Sequence, residues 1–118
     1  MRKIALLTAI ALTFGAAVPA LAHTHLVRSA PAANQSGAAP RTITLTFNER
    51  LAPAFSRAEV NMPGHDMTIP VTMRLSSDGK TMTLTPRSGL HSGSYVIRWV
   101  AAGRDGHRME GTVPFIVR

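Results

Sequence analysis

The segment Thr42-Ile43-Thr44-Leu45-Thr46-Phe47 alternates polar and apolar residues with a period of two and is rich in β-branched side chains. In an extended chain that period sorts the two kinds onto opposite faces, so the run predicts a half-buried strand. The pattern recurs. Ile69, Val71, Met73 and Leu75 share one parity and predict a second strand, with Met73 as core filler. Met82 and Leu84 predict a third, entered from the turn-forming Asp78-Gly79, and Met82 too reads as core. Tyr95, Ile97 and Trp99 share a face of a fourth, while Val96 and Val100 on its other face predict burial on both sides. Val113, Phe115 and Val117 predict the last, and two shorter strands are expected near His25-Leu26-Val27 and Ala58-Glu59-Val60. Pro31, Pro40, Pro53, Pro63, Pro86 and several glycines punctuate these runs, and beyond the first segment of the chain only residues 51–55 are compatible with helix. About seven short strands so spaced predict one all-β domain, a Greek-key β-sandwich or barrel.

The start of the chain follows a different logic. Arg2 and Lys3 precede an apolar run at residues 4–14, then Gly15, Pro19 and the small residues of Ala20-Leu21-Ala22. A basic n-region, a short apolar core and an A-x-A site predict a secretory signal peptide over residues 1–22, since the run is short for a membrane span of about 20 residues. The expected mature domain, residues 23–118, carries 11 basic and six acidic side chains, a net +5 against +7 for the whole chain. An exported domain is an improbable partner for nucleic acid, and 5% aromatic content gives little to stack bases on. The charge reads as an arginine-rich, soluble surface. Absence of cysteine excludes disulfides, thiolate metal sites and a cysteine nucleophile.

Cleavage after Ala22 would expose His23-Thr24-His25 with a free α-amine. The amine and the Nδ1 of His23 can close a six-membered chelate ring on one metal ion. An α-amine has a pKa of about 7.7–8.0, so a metal displaces its proton easily near neutrality. Nitrogen donors in a square arrangement suit Cu(II), which also tops the affinity order of the divalent first-row metals. A competing mode uses the amine, two deprotonated backbone amides and the imidazole of His25, and both modes are open to these three residues.

Asp105-Gly106-His107 lies in a loop ahead of the final strand, between Gly103 and the strand's apolar positions. An Asp-x-His turn can aim a carboxylate and an imidazole at one point, although the same triplet also serves as an ordinary solvated turn. Glu49, just past the strand at residues 42–47, is an acceptor suited to orienting an imidazole from outside the metal's own ligands, or to pairing with a surface arginine.

With these residues in view, the chain resembles the CopC family of periplasmic copper-binding proteins. His23-Thr24-His25-Leu26-Val27-Arg28-Ser29-Ala30-Pro31-Ala32 is similar to the family's H-x-H-L-x-x-S-x-P-A start. Leu45-Thr46-Phe47-Asn48-Glu49-Arg50-Leu51 resembles L-T-F-S-E-x-L, and Gly93-Ser94-Tyr95-Val96-Ile97-Arg98-Trp99 resembles G-x-Y-x-V-x-W. Asp105-Gly106-His107 with Gly111 downstream resembles D-x-H-x-x-x-G. Four motifs in order span essentially the whole expected mature chain. The resemblance implies a cupredoxin-like or immunoglobulin-like sandwich with a Cu(II) site. Its ligands would be His23 through amine and Nδ1, His107 through its imidazole, and Asp105 as a weaker oxygen donor. Glu49 would stand behind them, and His25 is an alternative ligand whose burial in strand structure disfavours the terminal mode.

A softer site is also expected. Met62-Pro63-Gly64-His65-Asp66-Met67 sets two thioethers and an imidazole in one loop, and thioethers select Cu(I). The resemblance implies a Cu(I) site there for Met62, His65 and Met67 only, since the loop has fewer methionines than some relatives. His91 reads as a solvated turn residue.

No catalytic base, nucleophile pair or organic-cofactor motif is visible, so the expectation is a periplasmic, non-enzymatic protein that sequesters or carries Cu(II) for copper homeostasis or resistance. Its partner would be an inner-membrane copper transporter of the CopD type or another periplasmic copper protein. Two alternatives stay open. A histidine-brace copper oxidase or monooxygenase would need an extended aromatic face, and this chain has only Trp99 and Tyr95 at strand positions. A metal-free adhesion-type sandwich would need no histidine cluster at all.

Overall fold

The computed structural model describes Gly15 and residues 23–118, so the expected signal peptide lies, but for Gly15, outside the described residues. Nine strands are present among the described residues: β1 (Leu26–Ala30), β2 (Gln35–Gly37), β3 (Ile43–Phe47), β4 (Arg57–Met62), β5 (Met67–Ile69), β6 (Val71–Leu75), β7 (Thr81–Pro86), β8 (Gly93–Ala102) and β9 (Arg108–Val117). They form two sheets, one ordered β1-β3-β7-β6 and the other β2-β9-β8-β4-β5. Every pairing is antiparallel except that of β2 with β9. The chain passes between sheets at nearly every Pro-rich connection, and the result is the expected sandwich.

Alternation dictates the interior. Ile43, Leu45 and Phe47 of β3 and Met82 and Leu84 of β7 face Val60 of β4, Tyr95, Ile97 and Trp99 of β8, and Val113, Phe115 and Val117 of β9. Phe47 meets Trp99 edge-on at 5.1 Å, and Tyr95 stacks on Phe115 at 5.3 Å. Both are favoured aromatic geometries. Val96 and Val100 on the opposite face of β8 are half-buried.

Three sequence expectations need correction. The single strand through Ile69, Val71, Met73 and Leu75 is two strands in different sheets, because Pro70 interrupts the run where the chain crosses over. Proline removes a ladder donor, so it marks a strand boundary. Met73 is no core filler: it sits on the edge strand β6 and is 39% exposed, whereas Met82 is fully buried. Residues 51–55 hold only a single 3₁₀ turn, Pro53–Phe55.

The two sheets bring three chain segments to one end of the sandwich. These are the residues ahead of β1, the exit from β3 at Asn48 and Glu49, and the loop between β8 and β9. The Ala52 N–H donates to the Ala102 carbonyl at 2.8 Å, and the Ala102 N–H donates to Ser56 Oγ at 3.1 Å. The end of β8 is therefore pinned from the neighbouring 3₁₀ turn before its loop begins.

Candidate metal centre

His23, Asp105 and His107 converge at that end although 82 positions separate the first two in the sequence. Each offers one ligand atom, and these atoms all lie within 4.8 Å of one another. His107 Nδ1 is 3.1 Å and His23 Nδ1 3.8 Å from Asp105 Oδ2, and the two imidazole centroids are 5.9 Å apart. The cluster is open to solvent, with the His107 side chain 71% exposed.

The loop shapes itself for this. Asp105 Oδ1 accepts the His107 backbone N–H at 3.0 Å, and the Gly106 N–H donates to the Gly103 carbonyl at 3.2 Å. Gly106 has φ +76°, a left-handed conformation that glycine adopts without a Cβ clash. The His107 backbone N–H chiefly holds the Asp105 carboxyl below the usual carboxylate range, against desolvation by burial and with lesser help from the His107 imidazole and the nearby His23. Asp105 is thus an anion ready for a cation.

His23 is placed from behind. Thr24 is buried, and its hydroxyl donates to Glu49 Oε1 at 2.6 Å. That carboxylate lies where a Cβ on Gly103 would stand, so Glu49 joins the segment ahead of β1 to the start of the ligand loop. It holds Thr24 rather than an imidazole, and no arginine pairs with it among the described residues. Asn48, which the sequence did not single out, grips the same segment. Its Oδ1 accepts the His25 N–H at 2.8 Å, its Nδ2 donates to the His23 carbonyl at 3.1 Å, and its own N–H donates to the His25 carbonyl at 3.2 Å. Its only sequence signal was its seat inside the Phe47-Asn48-Glu49 motif.

His25 is a further correction. It precedes β1 and is exposed, so burial in strand structure does not withhold it. Its backbone N–H, one of the two amides that the terminal mode would need, is nonetheless engaged by Asn48.

At the loop after β4, Met62 and Met67 are directly opposed across the β4–β5 pair, and His65 lies between them in the 3₁₀ turn Pro63–His65. Met67 is 51% exposed, while the Met62 methyl packs on Gly93. His91 is exposed, and its carbonyl accepts the Tyr95 hydroxyl at 2.7 Å. Tyr95 and Trp99 are both buried and so present no flat aromatic face to a polymer.

A CopC domain model matches residues 26–118. A copper resistance protein C of Pseudomonas syringae pv. tomato is 40% identical over 112 residues, which cover 88% of this chain and 89% of that protein. Another copper resistance protein C, of Xanthomonas campestris pv. juglandis, is 37% identical over 87% of this chain and 86% of its own length. The crystal structure of PcoC, a methionine-rich copper resistance protein from Escherichia coli, superposes with a TM-score of 0.74 at 35% identity, covering 82% of this chain and all of that one. The family model over most of the chain, and relatives 37% and 40% identical over most of both lengths, show that the chain belongs to the CopC family.

Proposed function

We propose that the processed protein, beginning at His23, binds Cu(II) through the His23 amine and Nδ1, the His107 imidazole and Asp105, and so sequesters or carries copper in the periplasm. The observation that carries this is the meeting of three metal-ligating side chains from two distant parts of the chain, their ligand atoms within 4.8 Å. The donor set fits the ion. Amine and imidazole nitrogens with one carboxylate oxygen suit Cu(II), and the chain has no thiolate to favour zinc or Cu(I) at this point. The copper resistance proteins to which the chain is similar are named for the same metal.

Exposure supports a carrier role. A site at an open tip can pass its ion by ligand exchange to an acceptor that docks there, and we assign that acceptor to a membrane transporter or a second periplasmic copper protein. The relatives are named resistance proteins and not enzymes, and the reading needs no substrate beyond the ion.

Titration of the processed protein with Cu(II), wild type against His107→Ala, tests the site. The variant loses the tight phase and its EPR parameters change. Unchanged affinity and spectrum would overturn the brace of His23 and His107 and favour the terminal mode. A second protein that retains Ala22 ahead of His23 should also lose tight binding, because its α-amine belongs to the wrong residue.

The directly opposed Met62 and Met67 favour one addition, a Cu(I) site shared with His65. Met67→Leu should weaken Cu(I) binding and leave the Cu(II) titration unchanged.

A further inference from the structure

Two modes of Cu(II) binding compete for the same three N-terminal residues, and one side chain touches what distinguishes them. The brace needs His23 turned toward the loop of Asp105 and His107. The terminal mode needs the backbone nitrogens of Thr24 and His25 as ligands, each stripped of its hydrogen. Asn48 bears on both requirements. Its Nδ2 holds the His23 carbonyl at 3.1 Å, and its Oδ1 occupies the His25 N–H at 2.8 Å.

We propose that Asn48 is a positioning residue that selects the brace over the terminal amide mode, an inference that rests on the copper site proposed above. A primary amide carries a donor and an acceptor side by side, the same pair that a strand edge presents. Leu26 opposes Phe47 at the last register position of the β1–β3 pair. Beyond it the Asn48 N–H donates to the His25 carbonyl at 3.2 Å, and the side-chain amide then supplies two more rungs. The ladder is prolonged to His23 by a side chain. A serine at this place would carry one short hydroxyl and could not bridge to both His23 and His25 in this way.

The consequence for metal binding has two parts. Fixing the His23 carbonyl limits the swing of the residue whose amine and imidazole form the chelate, so less freedom is lost when the ion binds. Holding the His25 N–H against an acceptor oxygen opposes the terminal mode, since a nitrogen without its hydrogen would face that oxygen lone pair to lone pair. Thr24 supports the same outcome through Glu49, but its contact is made by the hydroxyl and leaves its own amide out.

The test uses the processed protein with Asn48→Ala and Asn48→Asp. Cu(II) dissociation constants come from competition with a chelator, the ligand set from EPR, and the metal-free state from amide hydrogen exchange at His25. Removal of a group that orients a ligand from outside typically weakens metal binding about 10–100-fold, and Asn48→Ala is expected in that range at the brace. Its EPR spectrum should gain a second species richer in nitrogen ligands, and the His25 amide should exchange faster before copper is added. Asn48→Asp keeps an acceptor on the His25 N–H and loses the donor to His23, so it should weaken binding yet retain a single brace-type spectrum. A merely structural residue would not separate these two variants spectroscopically. Wild-type affinity and spectrum in Asn48→Ala, with tight binding still lost in His107→Ala, would overturn the assignment of Asn48 alone. Tight binding that survives His107→Ala would instead overturn the copper site on which it rests.

Discussion

A Cβ on Gly103 would run into the Glu49 carboxylate and stand 2.6 Å from the Thr24 hydroxyl. The absence of that one atom lets the segment ahead of β1, the β3 exit and the ligand loop close on each other. Gly103→Ala must displace either the carboxylate or the loop. Overpacking a filled site costs about 1–3 kcal/mol, so thermal unfolding of the metal-free variant should move down accordingly. Cu(II) affinity should fall as well, because the shift separates His23 from Asp105 and His107, and titration of the refolded variant checks it. A stable variant with wild-type affinity would show that Glu49 is incidental to the site. At this scale the sequence is legible where chemistry is concentrated. His23, Asp105 and His107 stand out by type and spacing. Glu49 stands out as an acceptor without its contact to Thr24 being legible, and Asn48 does not stand out. Their contacts cross 23 to 25 positions of chain, and only the pairing of β1 with β3 brings them together.

Elements were legible wherever one face is buried, since a strand such as β3 or β9 must keep its parity to keep its core. The rule fails at the edges. Apolar parity ran straight through Pro70 because Ile69 and Val71 each pack against the core, but from different sheets. Nothing in Gln35-Ser36-Gly37 signals β2 either, a short edge strand that exists because β9 offers it a free ladder. One central pairing carries a prediction. Trp99 opposes Gly111 across β8 and β9, and its ring atoms lie 2.5 to 2.9 Å from where a Cβ on Gly111 would be. Gly111→Ala therefore pushes the indole off Gly111 and against Phe47. The expected cost is again about 1–3 kcal/mol. For a domain of this size each kcal/mol lowers the melting temperature by roughly 4–8 °C. Trp99 is the only tryptophan, so a change in its emission in the folded variant reports the displaced ring directly.

Across the whole molecule the two expected copper sites sit at opposite ends of one strand. The ligand loop leaves β8 after Ala102, and the Met62 methyl packs on Gly93, where β8 begins. Ten residues at about 3.3 Å each separate them by roughly 30 Å. No ligand is shared, and the strand between them is buried on its inner face and paired on both sides, so it offers no second arrangement through which one site could bias the other. Coupling requires an element with two states that both ligands bias. The ions should therefore bind independently, each chosen by donor softness: nitrogen and carboxylate at the loop end, thioether and imidazole at the other. Anaerobic loading with Cu(I) before titration with Cu(II) tests this. The Cu(II) affinity and EPR spectrum should match those of the protein that holds no Cu(I), and Met67→Leu should reduce the Cu(I) stoichiometry alone. A Cu(II) spectrum altered by Cu(I) would mean that the thioethers reach the brace in solution, by association of two molecules end to end. Dilution would then restore the single-molecule spectrum, because contact between copies weakens with concentration whereas a path through β8 does not.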